Sequence, residues 1–177
     1  MATPEAVRTR LPGVERLAGH YLPDLVYGAN DGIITTFAVV SGVVGASLSK
    51  NVIVILGLAN LVADGFSMGA SNYLARRSSS DQELVDRHDA FRHGLATMLG
   101  FLAAGALPLL AYLVPLDPTV EFPAASALAA AALFSVGAAR TFVTRRGFLR
   151  SGIEMLLVGA LAAFVAFGIG ALAASVS

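Results

Sequence analysis

Six side chains in this sequence combine the right chemistry with an unusual setting: Asp24, Asp31, Asn60, Asp64, Met68 and Glu154. Carboxylate and amide oxygens bind hard or borderline divalent cations, and a thioether adds a softness that magnesium and calcium do not favour. Iron(II) and manganese(II) suit such a set, with zinc and cobalt as further candidates. Carboxylates also carry protons, so exchange of a metal for protons is chemically natural. Most of the 12 acidic residues fall in polar connections. Asp31, Asp64 and Glu154 instead lie inside long apolar stretches, and Asp24 stands at the start of one. A charge at the middle of a bilayer costs about 2.5–3.5 kcal/mol on insertion scales, which makes an acid there a functional candidate. The competing reading is a protonated or hydrogen-bonded structural acid that faces other helices.

Spacing separates the candidates. Asp24 and Asp31 are seven residues apart and share a helix face, about 10 Å apart along the axis. Asn60, Asp64, Met68 and Asn72 recur every fourth residue and form one slowly drifting stripe. Counted back from Arg76, Met68 lies about 12 Å deep and Asp64 about 18 Å deep, so Asp31 matches Met68 and Thr35 matches Asp64. If those faces meet, they line a polar path from one membrane surface to its middle. A methionine in a span is more often core filler than a ligand, and its register with Asp31 is what raises Met68 to a candidate. Glu154 and Met155 open an apolar stretch just past Arg150, where an acid is equally well explained by the helix dipole or by an arginine partner. His88 and Asp89 with His93 could form a cytosolic metal site, although a solvated amphipathic face explains them better.

The elements that must position these residues are membrane spans. The chain has 177 residues, 56% of them hydrophobic and 14% charged, with a mean hydropathy of +0.73, a composition that points to a membrane protein. Five stretches are long enough to cross a core that needs about 20 helical residues: Leu25–Leu48, Val52–Ala75, Gly94–Val114, Ala124–Val143 and Ile153–Ala174. They are expected to be helices, since lipid cannot satisfy an open backbone and no period-two alternation marks barrel strands. Pro108 should kink the third. Ser80-x-x-Glu83 has the form of a capping box that starts a short helix leading into it. Residues 1–22 are expected as a cytosolic segment without a cleavable leader, followed by one transmembrane domain over 23–177 with a short cytosolic connection at 76–93.

Eleven of the 12 basic residues are arginines in the N-terminal segment and the 76–93 and 140–150 connections; Lys50 stands alone on the other side. The positive-inside rule then places the N-terminus in the cytoplasm and the C-terminus outside. Arginine, alanine and glycine usage points to a GC-rich bacterial genome, hence to a bacterial inner membrane. The absence of cysteine excludes disulfides, thiol chemistry and cysteine-ligated zinc. No nucleophile–base pair or cofactor motif suggests an enzyme, and no resident cofactor is expected. Gly28-x-x-x-Gly32 and Gly65-x-x-x-Gly69 let helices approach closely beside the acids. Five helices enclose a charged path poorly, and a symmetric dimer would double the ligands across a two-fold axis. The expected partners are lipid, divalent metal ions and a second copy of the chain, and not nucleic acid.

Two other readings fit an acid-bearing span. A proton-coupled organic-cation exporter would surround its acid with aromatic residues; Tyr27 and Phe37 are near, but the chain has no tryptophan. A non-transporting membrane subunit would pair its acids with a partner's arginines, and no arginine lies deep in these spans.

"DLVYGANDGIITTFAVVSGVVGAS" followed by "GLANLVADGFSMGASNYLA" resembles the first two spans of the vacuolar iron transporter family. "GALPLLAY" and "IEMLLVGALAAFVAFGIGAL" resemble its later segments, so the likeness covers nearly all of the chain after residue 22. The resemblance implies a five-helix homodimer that moves iron(II) or manganese(II) out of the cytosol, in exchange for protons, along a path between subunits. It equates the motif aspartates of the first helix with Asp24 and Asp31, and the motif methionine of the second with Met68. The sequence departs from the family pattern in two places. Many members have a glutamate where this chain has Asn60, and Asp64 follows one turn later. Many also insert a long Glu-rich, three-helix metal-binding domain between spans two and three. Here residues 76–93 fill that slot, with Glu83, Asp86 and Asp89 as its acids.

Overall fold

The computed structural model describes residues 14–78, 86–141 and 147–176, with side chains from residue 19 onward. The expected capping box at Ser80 and Glu83 lies outside these residues. Five long helices make up the fold: α1 (Val14–Gly45), α2 (Lys50–Ser78), α3 (Arg87–Leu113), α4 (Pro118–Ala139) and α5 (Phe148–Ser175), and no strand occurs among the described residues. The chain is thus all-α, as its patterning predicts. Four helices, α2 to α5, are long and apolar enough to cross a membrane by length and composition. The fifth expected span falls within α1, whose apolar half is interrupted by Asn30 and Asp31. Helix α1 also begins earlier than the expected span and runs for 32 residues, about 48 Å.

Local signals explain where the helices stop and start. Helix α1 ends in a Schellman motif: Leu48 N–H donates to Val43 O at 3.1 Å and Ser47 N–H to Val44 O at 2.9 Å. Ser47 takes the left-handed conformation, φ 56°, that glycine usually supplies there. Asp86 caps α3 by accepting from His88 N–H at 3.0 Å. Asp117 caps α4, accepting from Thr119 N–H at 2.9 Å, with Pro118 in the first turn, where its missing N–H costs nothing. Pro108 lies inside α3 and is fully buried, and the helix continues past it to Leu113.

Helix α1 is the centre of the bundle. It packs most closely on α3 and then on α5, while α2 leans mainly on α3. The core between them holds Ile33, Phe37, Val40, Phe101, Leu109 and Leu133. Glycines set these spacings. A Cβ on Gly28 would lie 2.0 Å from Thr97 O and one on Gly32 would lie 2.3 Å from Phe101 O, so the backbones of α1 and α3 touch. The α2 pair works the same way: Gly65 faces Leu102 and Phe101, and Gly69 faces Gly94. The small-residue motifs therefore clear space for α3 of the same chain. Cross-linking at Gly32 or Gly65 would report this internal packing and not a dimer.

At the end away from most arginines, the buried Glu121 carboxylate accepts from the Lys50 ammonium, tying α2 to α4. The outer faces are apolar: Val62 and Phe66 on α2, and Leu161, Phe164 and Leu172 on α5, are all more than half exposed. Faces of this kind suit a lipid surround.

Candidate metal pathway and the network at its mouth

Helices α1 and α2 carry the candidate residues side by side. Asp31 is half-buried on α1, while Asn60, Asp64 and Met68 are half-buried on α2. Asp64 lies close enough for its charge to act on the Asp31 carboxylate. Met68 packs against the edge of the core and also lines a groove of about 450 Å³ with Tyr27, Ser67, Ser71, Asn72 and Ala75. Thr35 bonds back to Asp31 O at 2.9 Å, so its hydroxyl is spent on its own helix. The amide oxygen of Asn30 and the amide nitrogen of Asn60 are buried with no hydrogen-bond partner among the described residues. Polar atoms of that kind beside two acids leave donor and acceptor capacity open to a cargo ion and its water.

Asp24 sits differently. It is 8% exposed and anchors a network that joins three helices. Its carboxylate accepts from Arg76 at 3.1 and 3.3 Å, from Asn72 Nδ2 at 2.7 Å and from His93 Nδ1 at 2.5 Å. Asn72 also donates to Thr97 Oγ1 at 2.6 Å and accepts from Arg76 Nε at 3.0 Å. Asp24 thus finds its arginine inside its own chain, at the last turn of α2. Every lone-pair direction of the carboxylate is engaged, so in this conformation it orders the mouth of the groove and is not open to a metal.

Glu154 accepts from Arg150 Nε at 3.1 Å, one turn earlier on α5. Helix α5 packs on α1 and α4 rather than on α2. The structure therefore brings Asp31, Asp64, Asn60 and Met68 into one neighbourhood, puts Asp24 at its mouth and gives Glu154 an arginine partner.

The histidines depart from expectation. His88 is exposed, as a solvated face requires, but His93 is 2% exposed, because α3 turns it inward against Asp24. Its neighbour is His20 from α1, at 3.1 Å between the Nε2 atoms. Tyr21 donates to Asp89 Oδ1 at 3.0 Å. Desolvation pushes the Asp89 carboxyl up, but the hydrogen bonds from Tyr21 and His20 outweigh it, so its pKa lies below the ordinary value. Neither His20 nor its pairing with His93 is visible as a motif, since 73 residues separate the two.

Comparison with known proteins places this geometry in context. The sequence pattern of the VIT family matches residues 22–90 and 82–171. A vacuolar iron transporter homolog from Oryza sativa subsp. japonica is 28% identical over 176 residues, covering 89% of this chain and 76% of that protein. The vacuolar iron transporter of Plasmodium berghei is 42% identical over 67 residues, and that of Toxoplasma gondii is 44% identical over 61. Those two alignments cover 38% and 34% of this chain, and 24% and 20% of the relatives' own length. With the family pattern running across all five helices, the chain belongs to the VIT family.

Proposed function

We propose that this chain is a divalent-metal transporter that exports iron(II) or manganese(II) from the cytosol in exchange for protons. The observation that carries the reading is a cluster of half-buried polar groups within a span: the acids Asp31 on α1 and Asp64 on α2, the unpartnered amide atoms of Asn30 and Asn60, and Met68 at the edge of its groove. Two like charges so placed repel, and either a divalent cation or protons relieve the repulsion. Metal and protons therefore compete for the same oxygens, which is the elementary requirement of an exchanger. Met68 adds a soft ligand that favours iron(II) or manganese(II) over magnesium or calcium. Family membership supports the same reading, since the matched relatives are named as vacuolar iron transporters.

In this proposal all five helices span a bacterial inner membrane, with the arginine-rich end and the N-terminus in the cytoplasm. The acids on the half-exposed stripe face a second copy of the chain, whose identical stripe closes the path. Cytosolic metal enters at the Asp24 end, reaches Asp31, Asp64 and Met68, and leaves on the far side as protons return. In cells challenged with excess iron or manganese, wild-type protein should restore growth, and Asp31→Ala or Met68→Ala at equal expression should abolish the rescue. Rescue by both variants at the wild-type level would sink the assignment of this pathway.

A further inference from the structure

The geometry points to a second divalent-cation site, formed by His20 of α1 with Asp89 and His93 of α3, outside the Asp31–Met68 path. Donor atoms of three side chains converge there, within 4.8 Å of one another. His20 Nε2 and His93 Nε2 are 3.1 Å apart. His20 Nε2 lies 3.3 Å from Asp89 Oδ1, and His93 Nε2 lies 3.5 Å from Asp89 Oδ2. A tetrahedral ion with bonds of about 2.0–2.1 Å holds neighbouring ligand atoms about 3.3–3.4 Å apart. The observed separations, two of them to different oxygens of Asp89, run from 3.1 to 3.5 Å and bracket that value.

Hydrogen bonding gives an independent reason. His93 Nδ1 faces the Asp24 carboxylate at 2.5 Å, an acceptor that assigns the proton to Nδ1. The Nε2 lone pair of a neutral His93 then points at a carboxylate oxygen and at a second imidazole nitrogen. His20 can place at most one Nε2 proton among these acceptors, whereas a cation at their centre engages all of them at once. Asp24 is the outer carboxylate that orients a metal-binding histidine and raises its basicity. Arg76 and Asn72 hold that carboxylate in place. The His20, Tyr21 and His93 rings pack edge to face, with centroids 4.6–4.9 Å apart, which fixes the imidazole planes.

His93 closes the inner side of the site, while the His20 and Asp89 side chains are 53% and 40% exposed. The remaining coordination position therefore opens to solvent, and an ion reaches it without crossing the bundle. Two imidazole nitrogens and one carboxylate oxygen select borderline transition ions such as zinc, cobalt or iron(II) over magnesium and calcium. The site does not depend on the transport reading, since Asp31, Asp64 and Met68 take no part in it.

The chain contains only three histidines, and exposed His88 is a built-in control. Zinc titrated into the full chain in detergent micelles should shift the imidazole ¹⁵N resonances of His20 and His93 at one equivalent and leave those of His88 in place. His20→Gln, at an exposed position, should weaken the His93 response at least about tenfold. The Asp31 path holds no histidine and is silent in this readout, so the site and the transport reading can fail separately. A protonated His93 would satisfy the same geometry without metal. Unshifted His20 and His93, an equal shift of His88, or a His93 response unchanged by His20→Gln would each overturn the site.

Discussion

At the scale of single residues, the acids of the bundle stand in opposite settings. Asp31 and Asp64 are half-buried on α1 and α2, whereas Asp24 is fully engaged by Arg76, Asn72 and His93. Residue type and spacing made each of the two acids legible as a candidate but did not pair them, because depth counting set Asp31 against Met68 and Thr35 against Asp64. The partners of Asp24 could not be read that way. They lie 48, 52 and 69 residues distant and meet it only after the third helix is in place. Asp117 offers a simpler acid to test. Hydrogen bonds from the side chain and backbone of Thr119 hold its pKa below the ordinary carboxylate value. Its ionised form therefore stabilises the helix fully above that value, and the contribution is lost as pH falls through the lowered folded pKa. Asp117→Asn keeps the cap but not the charge. The Tm of wild type should exceed that of the variant near neutral pH, and the gap should close as pH falls below the ordinary carboxylate range. A gap that is constant across that range would refute the assignment.

At the scale of helices, glycine positions decide which faces meet. The sequence announced close approach at Gly28, Gly32, Gly65 and Gly69 but could not say to what, because small residues permit any neighbour. In the fold that neighbour is α3, which wedges against both α1 and α2 and sets the register between Asp31 and Asp64. Gly32→Ala puts a Cβ 2.3 Å from Phe101 O, contact with backbone that no rotamer change relieves. The variant should lose about 1–3 kcal/mol, read as a lower Tm in detergent, and it should transport poorly for want of register. Unchanged Tm would show that α1 and α3 are not seated this closely. The same limit explains the histidines: the helical period places His93 on a face of α3, but only the packing of α1 on α3 turns that face inward onto His20.

At the scale of the whole molecule, a small bundle carries an arginine-rich end, an apolar outer surface on α2 and α5, and a polar seam between α1 and α2. The all-helical class and four of the spans were legible from hydropathy alone, because twenty apolar residues leave lipid-exposed backbone few alternatives. Helix α1 was harder to read, since Asn30 and Asp31 dilute its apolar character. Its central position, packed on α3 and α5, is what accommodates those polar groups. The central claim is that this seam conducts a divalent metal against protons, and the most direct measurement is flux in proteoliposomes loaded with a metal-sensitive dye. With purified protein, iron(II) or manganese(II) should cross only in wild type. It should accelerate when the pH gradient drives protons the opposite way, and it should vanish with Asp31→Asn. Metal flux absent with and without the gradient, or undiminished in Asp31→Asn, would contradict the account.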